Sequence, residues 1–280
     1  MSPVRPVRGG RPYLGYRGGD FDTPFAKYFD PVPTPLSEEV REALVVGAQA
    51  PACFADVAEA GRLLDAGPAA VENGYARCSD HSVRVAVRTE MPGVTPAMWD
   101  WWFGWHGCDA RRYKLWNPGA HLWAQWADGP DAGRRGRARY VGRTSFVDEY
   151  LGSTLVRAAI SFIEPARLGL DGAALAEGGD QTVVCARVGS SDVPLDLGYL
   201  VHHVRAVEGG AQMRSRFWLG GPHVGLRTGG AAAGRLVAAG GRLAFRPSAR
   251  SAAELLAHCA QEMSHLARFL PRLYAEFADE

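Results

Sequence analysis

The chain has 280 residues, of which 47% are hydrophobic and 22% are charged, and its formal net charge is +1. This composition predicts a globular protein with one large domain, or a main domain and a smaller attached one. The near-zero charge argues against a nucleic-acid-binding protein. No stretch approaches the ~18 apolar residues that a membrane-spanning helix needs. The five cysteines are scattered without a C-x-x-C pair, which favours a reduced, cytoplasmic protein.

Residues 1–70 are predicted to form a small, mainly helical N-terminal part. Residues 2–17 are rich in Arg, Pro and Gly and lack the apolar core of a secretory signal, so a loosely packed arm is expected. Acidic residues directly after Ser37 predict a short helix to about Gln49, because they favour the first helical turn. A second helix is predicted over 54–66, where Gly-Pro follows.

Residues 71–280 are predicted to form a main domain built on an antiparallel sheet. Alternating Val and Arg over 83–88 predict a half-buried strand. The Thr95-Pro96 pair predicts the start of a tryptophan-rich helix that reaches Trp105. The strands that follow have no helices between them, which implies antiparallel pairing. Their predicted ranges are 121–126, 139–145, 154–163, 182–188, 200–207, 212–219 and 236–245.

A long C-terminal helix is predicted from Ser251, because Ser251 and Glu254 have the spacing of a capping box. Apolar residues between Leu255 and Leu273 recur at steps of three and four, which places them on one face. Pro271 is expected to break the last turns. A helix lying in the concavity of a curved sheet would bury its inner face and leave a pocket. The expected fold class is therefore α+β.

His258 and Glu262 interrupt the apolar face of this helix and lie four residues apart. Two interpretations stay open: an ion pair on a solvated edge of the face, or two ligands of a divalent metal. His121, at the start of a strand, and Glu149, placed in a break between strands, could supply further ligands. Imidazole and carboxylate groups are ordinary zinc ligands, and the lack of thiolates fits a catalytic zinc. His265 is predicted to lie on the solvated face of the helix.

The stretches 91–106, 112–121 and 148–152, together with the His258-x-x-x-Glu262 pair, resemble the 2,4-diacetylphloroglucinol hydrolase / phloretin hydrolase family. The resemblance implies a Bet v 1-like (START/helix-grip) domain, in which a curved antiparallel sheet wraps around a long C-terminal helix. It also implies hydrolysis of the carbon–carbon bond between an acyl group and a phloroglucinol ring, with one divalent metal, usually zinc.

The same resemblance implies roles for individual residues. Tyr113 corresponds to a contact with a ring hydroxyl, and His203 to a pocket histidine near the metal. We therefore expect His203 to shuttle a proton, with His106 as second candidate. The residue types alone fit packed core side chains equally well at both Tyr113 and His203. The implied metal ligands are His121, Glu149, His258 and Glu262.

Two departures from the family pattern bear on the substrate. Ala124 stands where the resemblance implies a pocket asparagine, and Trp218 where it implies a pocket tyrosine. Both changes remove a polar contact, so the expected substrate is an aromatic or polyketide-like ketone other than diacetylphloroglucinol. Two other functions stay open: a metal-dependent cyclase, isomerase or lyase on the same pocket, and a non-catalytic binder of hydrophobic ligands. A homodimer or higher homo-oligomer also stays open.

Overall fold

The computed structural model describes residues 11–129, 133–170, 172–227 and 240–279. Within these ranges, antiparallel strands form one sheet in the order β1-β2-β8-β7-β6-β5-β4-β3, and β9 pairs with β7. The strands are β1 Gly74–Arg77, β2 Ser82–Pro92, β3 His121–Trp126, β4 Thr144–Leu151, β5 Thr154–Ile163, β6 Gln181–Ser190, β7 Leu195–Val207, β8 Gly210–Gly220 and β9 Gly225–Leu226.

Helices cover one face of this sheet. They precede the first strand, lie between β2 and β3, and follow the last strand. The longest helix packs on β1, β2 and β4. The predicted α+β class, with a large antiparallel sheet and a C-terminal helix, is confirmed. The α-helices with named bounds are α1 Glu38–Val46, α2 Pro96–Trp105, α3 Ala110–Trp116, α4 Ala249–Ala267 and α5 Leu270–Phe277.

Side-chain alternation decides which face of the sheet is inside. On β2, Val83, Val85 and Val87 are buried in the main core. Arg84, between them, points to the opposite face and donates to the Phe54 carbonyl at 2.6 Å. Neighbouring strands continue this division, so residues one position apart face different surroundings.

Several local predictions match the structure closely. Helix α2 begins after Thr95, whose side chain accepts from the Met98 amide, and it ends at Trp105. Strands β3 and β5 have the predicted bounds. The C-terminal helix stops at Ala267, and Pro271 stands in the first turn of the next helix, as its missing N–H allows.

Other element boundaries were wrong. Helix α4 starts at Ala249, because Ser248 rather than Ser251 is its N-cap. The predicted strand 139–145 is wrong for most of its length, since β4 begins only at Thr144. Residues 240–244 are helical where a strand was expected, and the rest of that prediction lies outside the described residues. Between 54 and 66 only a 3₁₀ helix forms, over Val57–Leu64.

The described part of the N-terminal 70 residues packs on both sides of the sheet: residues between 16 and 43 join the main core, whereas Ala60 and Leu63 pack against Trp218 on the outer face. Phe25 is buried and makes edge contacts with Trp105 and Phe277, with ring centroids 5.4 and 6.4 Å apart. Tyr16 donates to the Arg111 carbonyl at 2.7 Å. The boundary near residue 70 stays a prediction, and residues 1–10 of the predicted arm lie outside the described residues. No helix within the described ranges is long and apolar enough to cross a membrane.

Candidate metal centre

Three elements, β3, β4 and α4, bring four candidate ligands to one point. His258 and Glu262 lie one turn apart on the buried face of α4. His121 begins β3 and pairs with Glu149 of β4 across the sheet. Glu149 thus lies inside a strand, and the predicted break there was wrong. The strand orients its carboxylate toward α4, at the inner face of the sheet.

The donor atoms of these residues form a tight group. Nε2 of His121 lies 3.6 Å from Oε2 of Glu149 and 3.2 Å from Oε2 of Glu262. Nε2 of His258 lies 3.8 and 3.5 Å from the same two oxygens. With bonds of 2.0–2.1 Å, the ligands of a tetrahedral zinc ion lie about 3.4 Å from one another. The ligand atoms of His121, His258 and Glu262 all lie within 4.8 Å of one another.

The hydrogen bonds of His121 fit a metal ligand. Its Nδ1–H donates to the Tyr113 carbonyl at 3.0 Å, which leaves the lone pair on Nε2. That Nε2 is buried and has no hydrogen-bond partner among the described residues. A buried nitrogen lone pair beside two carboxylates is costly unless a cation binds it. Two carboxylates and two neutral imidazoles would balance the charge of a divalent ion.

Electrostatics couple the two α4 residues. Burial alone would lower the pKa of His258, but the carboxylates of Glu262 and Glu149 outweigh it and raise that pKa to about 9. Burial alone would raise the pKa of Glu262, but His258 outweighs it and lowers that pKa to about 2. The pair is therefore charged at neutral pH when no metal is bound, and binding of a divalent ion must displace a proton from His258.

Tyr113 supports the group from α3. Its ring stacks on the His121 ring at a centroid distance of 3.8 Å, and its hydroxyl donates to Glu149 Oε2. The side chain is only 3% exposed, and burial raises its pKa well above the usual value, so the hydroxyl stays protonated. The residue orients two candidate ligands and also lines the cavity.

Replacing Tyr113 by Phe should show how much its hydroxyl contributes to metal binding, apart from its ring. The variant keeps the ring stacking and the backbone acceptor for His121 but loses the hydroxyl that holds Glu149. Because partners of metal ligands typically contribute 10–100-fold, we expect zinc affinity to fall by about tenfold or more. Competition with a chromogenic chelator measures this. Tyr150→Phe, a change beside Glu149 on the outer side of the same strand, is the matched control and should retain full affinity.

An apolar cavity lies directly over the four donors. Glu149, His258 and Glu262 line it together with Tyr113. Most of the remaining wall is aromatic or aliphatic and comes from α2, α4 and strands β4 to β8. The polar side chains on the rest of the wall are His106, Ser145 and His202.

Two predicted pocket residues lie elsewhere. His203 faces the outer side of the sheet, where its Nε2–H donates to Gln181 Oε1 at 2.8 Å. Trp218 also faces outward, and its Nε1–H donates to the Ala55 carbonyl at 2.9 Å. The structure brings neither residue to the cavity. Their chain neighbours His202 and Phe217 line it instead. Ala124 is buried in the main core but is not part of the cavity wall.

His202 is therefore the pocket histidine that sequence reasoning missed. Its Nδ1 shares a 2.8 Å hydrogen bond with Ser215 Oγ, and burial lowers its pKa to about 4, so the ring is neutral. A signal was present in the sequence: His203 alternates with Arg205, and a charged residue marks the outer face of a strand. His265 was also misplaced. It is 1% exposed and its Nδ1 lies 3.3 Å from Thr34 Oγ1, so the solvated position was wrong.

A buried set of two imidazoles and two carboxylates beneath an apolar cavity is typical of a mononuclear metal enzyme. Comparison with known proteins shows the family of the chain. Residues 54–275 match the family model described as "DAPG hydrolase PhiG domain". The chain belongs to this DAPG hydrolase family.

Individual relatives cover most of the chain. A 2,4-diacetylphloroglucinol hydrolase of Pseudomonas sp. is 32% identical over 91% of this chain and 88% of its own length. The protein of the same name from Pseudomonas protegens is 32% identical, over 91% of this chain and 84% of its own. A phloretin hydrolase of Eubacterium ramulus is 29% identical, over 74% of this chain and 72% of its own. The family resemblance inferred from the motifs is thus confirmed.

Proposed function

We propose that the protein is a zinc-dependent hydrolase that cleaves the carbon–carbon bond between an acyl group and a phenolic or polyketide-like ring. The observation that carries this proposal is the convergence of the donor atoms of His121, Glu149, His258 and Glu262. The last three of these residues line one apolar cavity. The names of the relatives support the reaction type. A sheet whose inner face packs on a long C-terminal helix supports the Bet v 1-like description.

The reaction consumes one water for each bond cleaved. A C–O bond forms at the acyl carbon, the bond from that carbon to the ring breaks, and the ring carbon takes a proton. The products are a carboxylic acid and a phenol that lacks the acyl group. When bound, zinc would polarise the acyl carbonyl and lower the pKa of water toward ~7. The four donors would hold it, and Tyr113 would keep His121 and Glu149 in place.

His202 is our candidate for proton transfer in place of His203. Nδ1 of His202 shares a hydrogen bond with Ser215 Oγ, which also hydrogen-bonds Cys259. We assign the proton of this bond to Nδ1, which makes Nε2 the basic nitrogen. The neutral ring can take a proton from water at Nε2 and return it to the ring carbon. The apolar wall around it excludes bulk water, which strengthens each polar contact in the cavity.

The cavity also supports a substrate other than diacetylphloroglucinol. The family resemblance implies a pocket tyrosine at Trp218, but Trp218 faces away from the cavity, and its neighbour Phe217, which lines the wall, offers no hydrogen bond. A site that lacks such a contact does not select for the matching ring hydroxyl. We therefore infer a small-molecule substrate with a less hydroxylated ring or a bulkier ketone. A homodimer or higher homo-oligomer stays a prediction.

An isotope experiment tests the reaction. The zinc-loaded protein is incubated with an acylphenol in ¹⁸O-labelled water, and mass spectrometry should find one ¹⁸O atom in the released carboxylic acid. Chelation should stop the release, and added zinc should restore it. A product with the mass of the substrate would instead indicate an isomerase or cyclase. A protein that retains less than about a tenth of an equivalent of metal, with no stabilisation by zinc, would be a non-catalytic binder.

A further inference from the structure

The cavity has two unlike ends, and the metal centre lies between them. Ser145, Val147, Glu149 and Leu151 line it in turn along β4. Alternate residues of a strand are about 6.6 Å apart. Ser145 is therefore about 13 Å from Glu149 on one side, and Leu151 about 7 Å on the other, measured along the backbone.

The end near Leu151 is aliphatic and reaches solvent. Val156 of β5 pairs with Glu149 of β4, and Leu255 lies one turn before His258 on α4. Leu151 and Val156 are only partly buried although they belong to the cavity wall. Apolar side chains that stay accessible in a cavity mark a surface that an apolar group can cover.

The opposite end is buried and contains unsatisfied polar groups. Ser145 is 2% exposed, and its Oγ has no hydrogen-bond partner in the described part of the chain. His106 donates its Nδ1–H to the Trp102 carbonyl at 2.8 Å, so its Nε2 carries a lone pair. Both side chains line the cavity. A buried polar group without a partner is unfavourable, and a ligand hydroxyl would relieve this cost.

We propose that the substrate binds with its phenolic ring toward Ser145 and His106 and its acyl chain toward Leu151 and Val156. This orientation rests on the proposed function, because it sets the carbonyl beside Glu149 and His258. It names the substrate class: acylphenols whose acyl group carries an unbranched apolar chain several carbons longer than acetyl. One ring hydroxyl meets the inner polar pair, and the chain covers the aliphatic end.

A chain-length series tests the class with the zinc-loaded, full-length protein. Full burial of each added methylene strengthens binding about fourfold. From an acetyl to a hexanoyl phenol we expect kcat/KM to rise at least about tenfold. Val156→Thr should reduce this ratio several-fold, whereas Val207→Thr, a partly exposed valine at the far end of β7, should not. A ratio that falls with chain length would overturn the proposal.

A binding experiment separates this proposal from the proposed function. 4-Hexylresorcinol and resorcinol have no acyl bond to cleave, and quenching of tryptophan fluorescence reports their binding. We expect the hexyl compound to bind at least about tenfold more tightly, and Ser145→Ala to weaken it about threefold or more. Equal affinities would overturn the proposed orientation even if hydrolysis occurs. Preferential binding of the hexyl compound with no hydrolysis of any acylphenol would support the orientation and contradict the hydrolase proposal.

Discussion

Replacing His258 by Ala should reduce the zinc content of the purified protein from about one equivalent to less than about a tenth. The change removes one imidazole from the donor group and leaves Glu262 with one fewer partner. Glu262→Ala should have the same effect, because its Oε2 lies near both histidine nitrogens. Hydrolytic activity should fall with the metal in both variants. Metal analysis and kinetics on the same preparations measure the two losses.

The same variants must stay folded for the result to be informative. His258 and Glu262 line the cavity rather than fill the core, so far-UV circular dichroism should be unchanged. Added zinc should raise the melting temperature of the parent protein but not of the variants. His265→Gln, one turn further along α4, contacts Thr34 and should keep its zinc. A His258→Ala protein with full zinc occupancy would disprove the ligand assignment.

Zinc affinity should also depend on pH. In the metal-free protein the pKa of His258 is about 9, since the carboxylates of Glu262 and Glu149 outweigh burial. Zinc must therefore compete with a proton below that pH. We expect the apparent affinity to rise about tenfold for each pH unit until it levels off near 9. The pair's own contribution to stability is complete only between about pH 4.5 and 6.5, the ordinary pKa values of the two groups. It is lost as pH rises through 9, where His258 loses its proton, and as pH falls toward 2, where Glu262 gains one.

Where local signals were strong, the sequence predicted the fold closely. The Thr95-Pro96 pair specifies a helix start by its own chemistry, and α2 begins there. Strand β5 lies between Gly152-Ser153 and Glu164-Pro165, and its bounds were predicted correctly. The start of α4 was missed by only one turn, because Ser248 and Ser251 both form parts of its capping box. Such competition between nearby serines is not visible from spacing alone.

Long-range contacts explain the larger errors. Asp148 and Glu149 look like a loop because two adjacent acids are unfavourable in a strand. The strand forms because its partners compensate: Tyr113 donates to Glu149, and His121 pairs with it across the sheet. The ligand types could be predicted from residue chemistry and family resemblance. Their convergence depends on sheet register, which the sequence did not define.

Register also explains the pocket errors at His203 and Trp218. Both assignments differ by one residue from a side chain that lines the cavity. In a strand, a shift of one position moves every side chain to the other face. His202 pairs with Ser215 on β8, and His203 with Arg214, so the inner and outer residues stay separate across the sheet. Of two adjacent histidines in a strand, therefore, only one can face the cavity.

Changing His202 to Gln should lower kcat by at least about a hundredfold, the size expected for a lost proton-transfer group. Zinc content should stay near one equivalent, because His202 is not one of the grouped donors. The matched control is the adjacent His203→Gln, on the outer face of the same strand. This variant should change kcat by less than about threefold, because His203 lies on the outer face of the sheet, away from the cavity, and its replacement acts mainly on stability.

The pair of variants separates catalysis from structure within one strand. Both substitutions replace a buried, neutral imidazole by a polar side chain of similar size, so their effects on folding should be comparable. A loss of activity confined to His202→Gln would place proton transfer inside the cavity. The reverse result, a larger loss for His203→Gln with zinc retained, would contradict the register assigned to β7. It would return the pocket role to the residue that family resemblance alone had indicated.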